Sequence, residues 1–140
     1  MPAAPDERLA KLEHNVESSI SEALALEFAL QAERNALETR EDAALSSAAE
    51  EKSLRVARLE QLEADRKAFP AADPLSAARW QTFLSIVARC KRMNTTNGAI
   101  IHLRRQQVND ALRLVSGTGT GTYGPSGAES SPAGRALAAI

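Results

Sequence analysis

The stretch WQTFLSIVARCKRMNTTNGAIIHLRRQQVNDALRLV, residues 80 to 115, contains no proline and one glycine, and its apolar residues recur every three or four positions. That spacing is typical of one face of a long α-helix. The pattern predicts a helix that begins near Leu75 or Ser76 and runs to about Val115. Its heptad positions are apolar at both ends and polar in the middle; they are Trp80, Phe83, Val87, Cys90, Asn94, Asn97, Ile101, Arg104, Val108, Ala111 and Val115.

Two further amphipathic segments precede this helix. The first runs from Asp6 to about Thr39, and the second ends at about Lys67. The polar segment LETRED, residues 37 to 42, lies between them, and FPAADP, residues 69 to 74, breaks the chain before the third helix because proline disfavours helical dihedrals in the preceding residue. One unbroken N-terminal helix of about 60 residues would have to be a free-standing coiled coil, so a helical hairpin is favoured.

The C-terminal residues follow a different rule. From Ser116 onward a glycine or proline recurs every few residues, and few apolar side chains are available to offset the entropy of ordering. The sequence therefore predicts an all-α fold: a long antiparallel helical hairpin plus a third long helix, as a three-helix bundle or coiled coil, with a flexible tail. The expected division is a helical domain over residues 1–115 and a disordered tail over 116–140 that carries Tyr123.

Composition and charge exclude several classes of function. Aromatic residues make up only 4% of the chain against 44% hydrophobic residues, so the core is expected to be aliphatic. Seventeen basic and eighteen acidic residues give a net charge of −1, without the basic excess of a nucleic-acid-binding protein. No stretch approaches the ~20 apolar residues of a membrane span, and the N-terminus lacks the pattern of a secretory signal. We expect a cytoplasmic protein that inserts into no membrane.

Residues able to support catalysis or metal binding are sparse. His14 and His102 are far apart in sequence, and neither has a partner at the helical spacing of a metal site. Cys90, the only cysteine, falls on the apolar side of a helix and is expected to pack as a small hydrophobic residue. The GTGTGT run lacks the lysine of a phosphate-binding loop. The prediction is a protein without enzymatic activity, cofactor or metal.

The segment around HLRRQQ, residues 102 to 107, combines basic and apolar residues on more than one helix face. One stripe contains Ile101, Val108, Leu112 and Val115, while Ile100, Leu103 and Leu114 lie off it. One face is able to pack on the N-terminal hairpin, which leaves the surplus for a second protein. Periodicity alone supports equally the alternative that a three-helix bundle, or a homodimer, uses both faces and leaves no surface for a second protein.

The same segment resembles a known family. CKRMNTTNGAIIHLRRQQVNDALRLV, residues 90 to 115, followed by a glycine-rich spacer and TYGPSG, residues 122 to 127, is similar to the C-terminal half of the FlgN family of flagellar export chaperones. Ser126 departs from the acidic residue expected at its position. The residues that carry the resemblance are Asn94, Asn97, Gly98, Ile101, Arg104, Arg105, Val108, Ala111, Leu112, Tyr123 and Gly124.

The resemblance implies a function. Chaperones of this family bind the C-terminal helical segments of the hook-associated proteins FlgK and FlgL, prevent their premature assembly and deliver them to the type III export gate. FliJ is a further candidate partner. The stripe and the resemblance together predict a cargo-binding set that comprises Asn97, Ile100, Ile101, Arg104, Arg105, Val108, Leu112 and Val115.

The resemblance also implies a role for the tail. Tyr123, with Gly124, matches a family tyrosine that docks on the cytoplasmic domain of the gate component FlhA, and a tyrosine is a suitable anchor because it buries a large ring with few rotamers to order.

Two alternatives to this function of the protein remain. One is a structural coiled-coil protein that self-associates, with Asn94 and Asn97 setting its register. The other is a sister export chaperone with another cargo, such as a filament-cap protein.

Overall fold

The structure is a computed structural model that describes residues 4–69 and 74–117, and within these ranges the chain forms three helices. They are α1 (Pro5–Thr39), α2 (Asp42–Arg66) and α3 (Pro74–Ser116). The predicted all-α fold is confirmed, and each helix begins and ends within one or two residues of its expected position. The predicted tail lies outside the described residues.

The break between α1 and α2 is a two-residue turn. Arg40 adopts the left-handed conformation, with φ 55° and ψ 40°, and its backbone N–H donates to the carbonyl of Ala36. The N–H of Glu41 donates to the same carbonyl at 3.1 Å. Both bonds thus satisfy the Ala36 carbonyl near the end of α1, where the chain turns back on itself. The hairpin predicted at LETRED is therefore present.

The central element is α1. It packs along both other helices, whereas no Cα atom of α2 comes within 8 Å of a Cα atom of α3 in the described ranges. Asn15 Nδ2 of α1 donates to the carbonyl of Leu62 at 3.0 Å, and Arg55 of α2 pairs with Glu22 at 3.0 Å, so α1 and α2 are antiparallel. α3 runs parallel to α1.

The core lies where α1 faces both partners. Leu26 and Leu30 of α1 are almost completely buried, and burying each leucine side chain contributes about 1.5–3 kcal/mol. Near the end of α2, the Arg66 guanidinium carbon lies 4.1 Å from the centroid of the Trp80 ring of α3 and so forms a cation–π contact between these two helices. The buried cluster is largely aliphatic, as composition predicted; it comprises Ala23, Leu26, Leu30, Val56, Leu59, Phe83, Ile86, Val87 and Cys90.

Cys90 is a core residue. It is buried against α1, where its Sγ lies 3.6 Å from the carbonyl oxygen of Ala23. Burial, with a smaller contribution from the charge of Glu27, raises the pKa of the thiol to about 11. The thiol therefore stays protonated at neutral pH and lacks the thiolate character of a nucleophile.

Candidate functional site

The end of α3 extends beyond the helix that it packs against. Arg79 pairs with Glu17 and Arg89 with Glu27, each 62 positions earlier, and Asn97 bonds to the carbonyl of Leu30, 67 positions earlier. The end of α1 at Thr39 is therefore level with residues 101 to 106 of α3. The remainder of α3, to Ser116, extends past α1 by about 15–22 Å at about 1.5 Å per residue.

Exposure along one heptad register follows this geometry. Val87 is buried at 5% exposure, Asn94 and Ile101 are half-buried, and Val108 and Val115 are 57% and 87% exposed. The side of α3 that packs on α1 in its first half thus continues, still apolar, after α1 has ended. Its side chains have the pattern of a helix–helix interface and lack the second helix.

We call Val108, Leu112 and Val115 the distal stripe. Leu112 is 61% exposed, and the three residues lie within about 60° of one another at about 100° per residue. Leu103 and Leu114 are also exposed but lie roughly 120° away on another face. The distal stripe is a contiguous apolar surface of the kind that marks a protein-binding site.

The other predicted cargo-binding residues occupy different positions. Ile100, Ile101 and Arg104 are half-buried at the level where α1 ends, and Arg105 is exposed beside them. Together with the distal stripe they form a surface with a basic edge. Asn97 does not belong to it, because its side chain is fully buried at 0% exposure.

Asn97 bonds to α1. Its Nδ2 donates to the carbonyl of Leu30 at 3.0 Å and to Glu33 Oε1 at 2.9 Å, while its Oδ1 accepts from Arg34 Nε at 2.7 Å. Each polar atom of this amide therefore has a partner, as a buried amide requires. The structure gives Asn97 a position inside the bundle that aligns α3 along α1.

The bonds of Asn97 belong to a network that joins all three helices. Lys52 Nζ of α2 lies 2.8 Å from Glu33 Oε2, and their side chains are 11% and 2% exposed. Lys52 also donates to Asn94 Oδ1 at 3.3 Å. Sequence reasoning missed Glu33 and Lys52, although Glu33 has Leu30 and Leu37 at helical spacing on either side and so occupies a core-facing position.

Gly98 offers a test of this region. A Cβ added at Gly98 would meet no atom within 4 Å, so packing does not require glycine there. We expect Gly98→Ala to stabilise the protein by about 0.5–1 kcal/mol, because alanine loses less backbone entropy in a helix. Thermal unfolding followed by circular dichroism measures the change. A lower melting temperature would contradict the open environment of Gly98.

A groove lies beside the distal stripe at the turn between α1 and α2. It has a volume of about 370 Å³, and we call it the end groove. Val108 belongs to both the groove and the stripe, so the two surfaces are continuous. The lining residues are Ala36, Arg40, Asp42, Leu45, Arg104, Gln107, Val108 and Ala111.

A second groove lies between α2 and α3, where the two helices stay apart. It has a volume of about 390 Å³, and its floor includes Leu59, Trp80, Phe83 and Val87. The Trp80 and Phe83 rings are in contact, with centroids 4.7 Å apart. This groove lies at the opposite end of α3 from the distal stripe.

The histidines and the other possible metal ligands of the described residues are dispersed. His14 and His102 are exposed on different helices, and within residues 4–69 and 74–117 no three histidine, cysteine or acidic side chains cluster as metal ligands. None of the helices in those ranges combines the length and hydrophobicity needed to cross a membrane. Tyr123 and Gly124, the predicted docking residues for the gate, lie outside the described residues.

Comparison with known proteins agrees with the family resemblance of residues 90 to 127. The family model described as FlgN protein matches residues 1–131, which is nearly the whole chain. Comparison with curated proteins and with solved structures finds no significant match. The match covers the three helices, the distal stripe and the Tyr-Gly segment, and we conclude that this chain belongs to the FlgN family of flagellar export chaperones.

Proposed function

We propose that this chaperone binds the C-terminal helical segments of FlgK and FlgL through its distal stripe, keeps them from assembling prematurely and delivers them to the export gate in the cytoplasm. The observation that carries the proposal is the exposure of Val108, Leu112 and Val115 on the side of α3 that α1 covers nearer its start. A partner helix is the element that this surface lacks.

Binding of this kind uses the packing that already holds the bundle together. A cargo helix laid on the distal stripe would take the place of α1 beyond Thr39 and bury the exposed apolar side chains of both proteins. Ile101 marks the point where the covering helix changes from α1 to the cargo. The exposed Arg105 and half-buried Arg104 give the interface a polar edge, which suits a complex that must release its cargo.

Calorimetric titration with the C-terminal segments of FlgK and FlgL tests this function. We expect saturable one-to-one binding by the full chain and by a chain that ends at Gly117, because both retain the distal stripe. A chain that ends at Gln106 keeps the buried core and lacks the stripe, so it should not bind. Equal binding by both shortened chains would place the site elsewhere, and a folded full chain that binds neither segment would refute the proposal.

Sedimentation of the same protein samples distinguishes cargo binding from the alternative, a self-associating coiled coil. Asn94 and Asn97, which were to set the register between copies, bond to Lys52 and to α1 within one chain. This observation favours cargo binding over self-association. Oligomers that grow with concentration in sedimentation, together with no response to either cargo segment, would reverse the preference.

Delivery is proposed to depend on Tyr123 and Gly124, which carry the resemblance into the tail. The support is the family match over residues 1–131 and the suitability of a tyrosine ring as an interface anchor. We expect Tyr123→Ala to weaken binding to the cytoplasmic domain of FlhA by about tenfold or more and to leave cargo affinity unchanged. Surface plasmon resonance with the immobilised FlhA domain measures this affinity, with Ser126→Ala as the matched control. Equal affinity of the wild type and Tyr123→Ala would exclude Tyr123 as the anchor. Binding to FliJ is tested in the same way.

A further inference from the structure

Arg40 occupies a backbone position that favours glycine. Its φ of 55° lies in the left-handed region, and no other described non-glycine residue has a positive φ. At the end of α3 the left-handed position is occupied by glycine, as is usual after a helix: Gly117 has a φ of 66°. An arginine at such a position costs stability that glycine would avoid.

The side chain of Arg40 lines the end groove with Arg104. The apolar part of the groove comes from Ala36, Leu45 and Val108, and Arg40 and Arg104 are the two basic residues of its lining. Neither arginine forms an ion pair with Asp42, which lines the same groove, or with any other residue in the described ranges. The groove thus combines an apolar part with two arginines that form no ion pair in these ranges, and its lining has more positive than negative charge because Asp42 is its one acidic residue.

The arginines along the helix interfaces behave differently. Arg55 pairs with Glu22 at 3.0 Å, and Arg89 lies 2.6 Å from Glu27, whose pKa it lowers through that hydrogen bond. These two arginines, where α1 meets α2 and α3, are therefore each paired with a glutamate. Arg40 and Arg104 line the end groove without such a partner, and a groove of this kind suits a ligand that brings the opposite charge.

We propose that the end groove binds acidic side chains of the cargo helix, and that Arg40 and Arg104 determine specificity for a helix with carboxylates beside its apolar stripe. The inference rests on the proposed function, because the end groove and the distal stripe share Val108 and form one surface. A helix seated on the stripe places the residues that flank its apolar face within reach of both guanidinium groups, which bind carboxylates in a bidentate manner.

Arg40→Gly separates this role from a structural one. The substitution removes the charge and relieves the left-handed strain, so we expect the melting temperature to rise by a few degrees while the affinity for the FlgK and FlgL segments falls about three- to tenfold. Arg104→Gln should produce a similar loss. Arg92→Gln is the matched control, because Arg92 is exposed on α3 without an ion pair among the described residues and lies about 160° around the helix from Val108 of the distal stripe.

Changes in the FlgK and FlgL segments show which of their negative charges the groove binds. Segments in which the acidic side chains are replaced by their amides should lose affinity for the wild type and show no further loss with Arg40→Gly. Raising the salt from about 0.05 M to about 0.5 M should weaken wild-type binding more than binding by Arg40→Gly. Segments that lose affinity only when their C-terminal carboxylate is amidated would overturn the assignment to side chains.

Failure of this inference is distinct from failure of the proposed function. If the wild type binds the segments and Arg40→Gly, Arg104→Gln and Arg92→Gln bind them equally well, the groove has no role in recognition and the distal stripe remains the site. If the folded wild type binds neither segment, the proposed function itself is wrong.

Discussion

The double substitution Val108→Asp with Leu112→Asp is expected to lower the affinity for the FlgK and FlgL segments by about 100-fold or more, which corresponds to about 2.7 kcal/mol or more. Both side chains are more than half exposed and lie one helical turn apart in the centre of the distal stripe. Each aspartate would remove apolar contact area and would have to be desolvated against the apolar face of the cargo helix, a cost that no described residue of the stripe offsets.

The control for this prediction is Leu114→Asp. Leu114 is 84% exposed near the same end of α3 but lies on another face, so the same change of residue should leave affinity within about twofold of wild type. Circular dichroism should show the same helix content for all variants, because none of the three leucine or valine side chains supports the core. Normal binding by the folded double variant would exclude the distal stripe from the site.

The second large effect is on stability. Lys52→Met is expected to lower the free energy of unfolding by about 3–5 kcal/mol, because it leaves the carboxylate of Glu33 buried without its positive partner. Methionine retains the length of the lysine stem, so loss of packing contributes little. Denaturant unfolding at constant pH measures the change, and the slope with denaturant should stay the same.

Two controls show whether the buried charge is the cause. Glu33→Leu combined with Lys52→Met removes both charges and should recover much of the lost stability, since a buried ion pair is often no better than apolar residues of similar size. Arg58→Met breaks the pair with Glu22, in which Arg58 is 57% exposed, and should cost less than about 1 kcal/mol. A small effect of Lys52→Met alone would mean that water or neighbouring groups solvate Glu33.

This network also matters for binding. Glu33 and Arg34 hold Asn97, and through it they fix how far α3 extends past α1. If α3 were to slide along α1, the distal stripe would be covered or a second part of the core would be exposed. Polar residues in the middle of a helix interface set the register in this way in coiled coils.

Much of the fold follows from local rules that the sequence alone supplies. The periodic leucines of α1, the prolines at 70 and 74 and the heptad pattern of α3 determine where each helix begins and ends, because helix formation depends on neighbours within a few residues. The same periodicity identified Val108, Leu112 and Val115 as one stripe. The predicted boundaries, the helical hairpin and the aliphatic core were correct for this reason.

Only the tertiary structure decided which residues of that periodic pattern are buried and which are exposed. Asn97 and Val108 both lie on heptad positions, but one is bonded to Leu30 and Glu33 of α1 and the other lies where that helix ends, beside the turn at Arg40. Likewise, the sequence marks Arg40 as a polar turn residue, and its place beside Arg104 depends on how α3 passes the turn. The physical reason is that periodicity assigns a residue to a face of its own helix, whereas burial and charge pairing depend on the length and offset of the neighbouring helices.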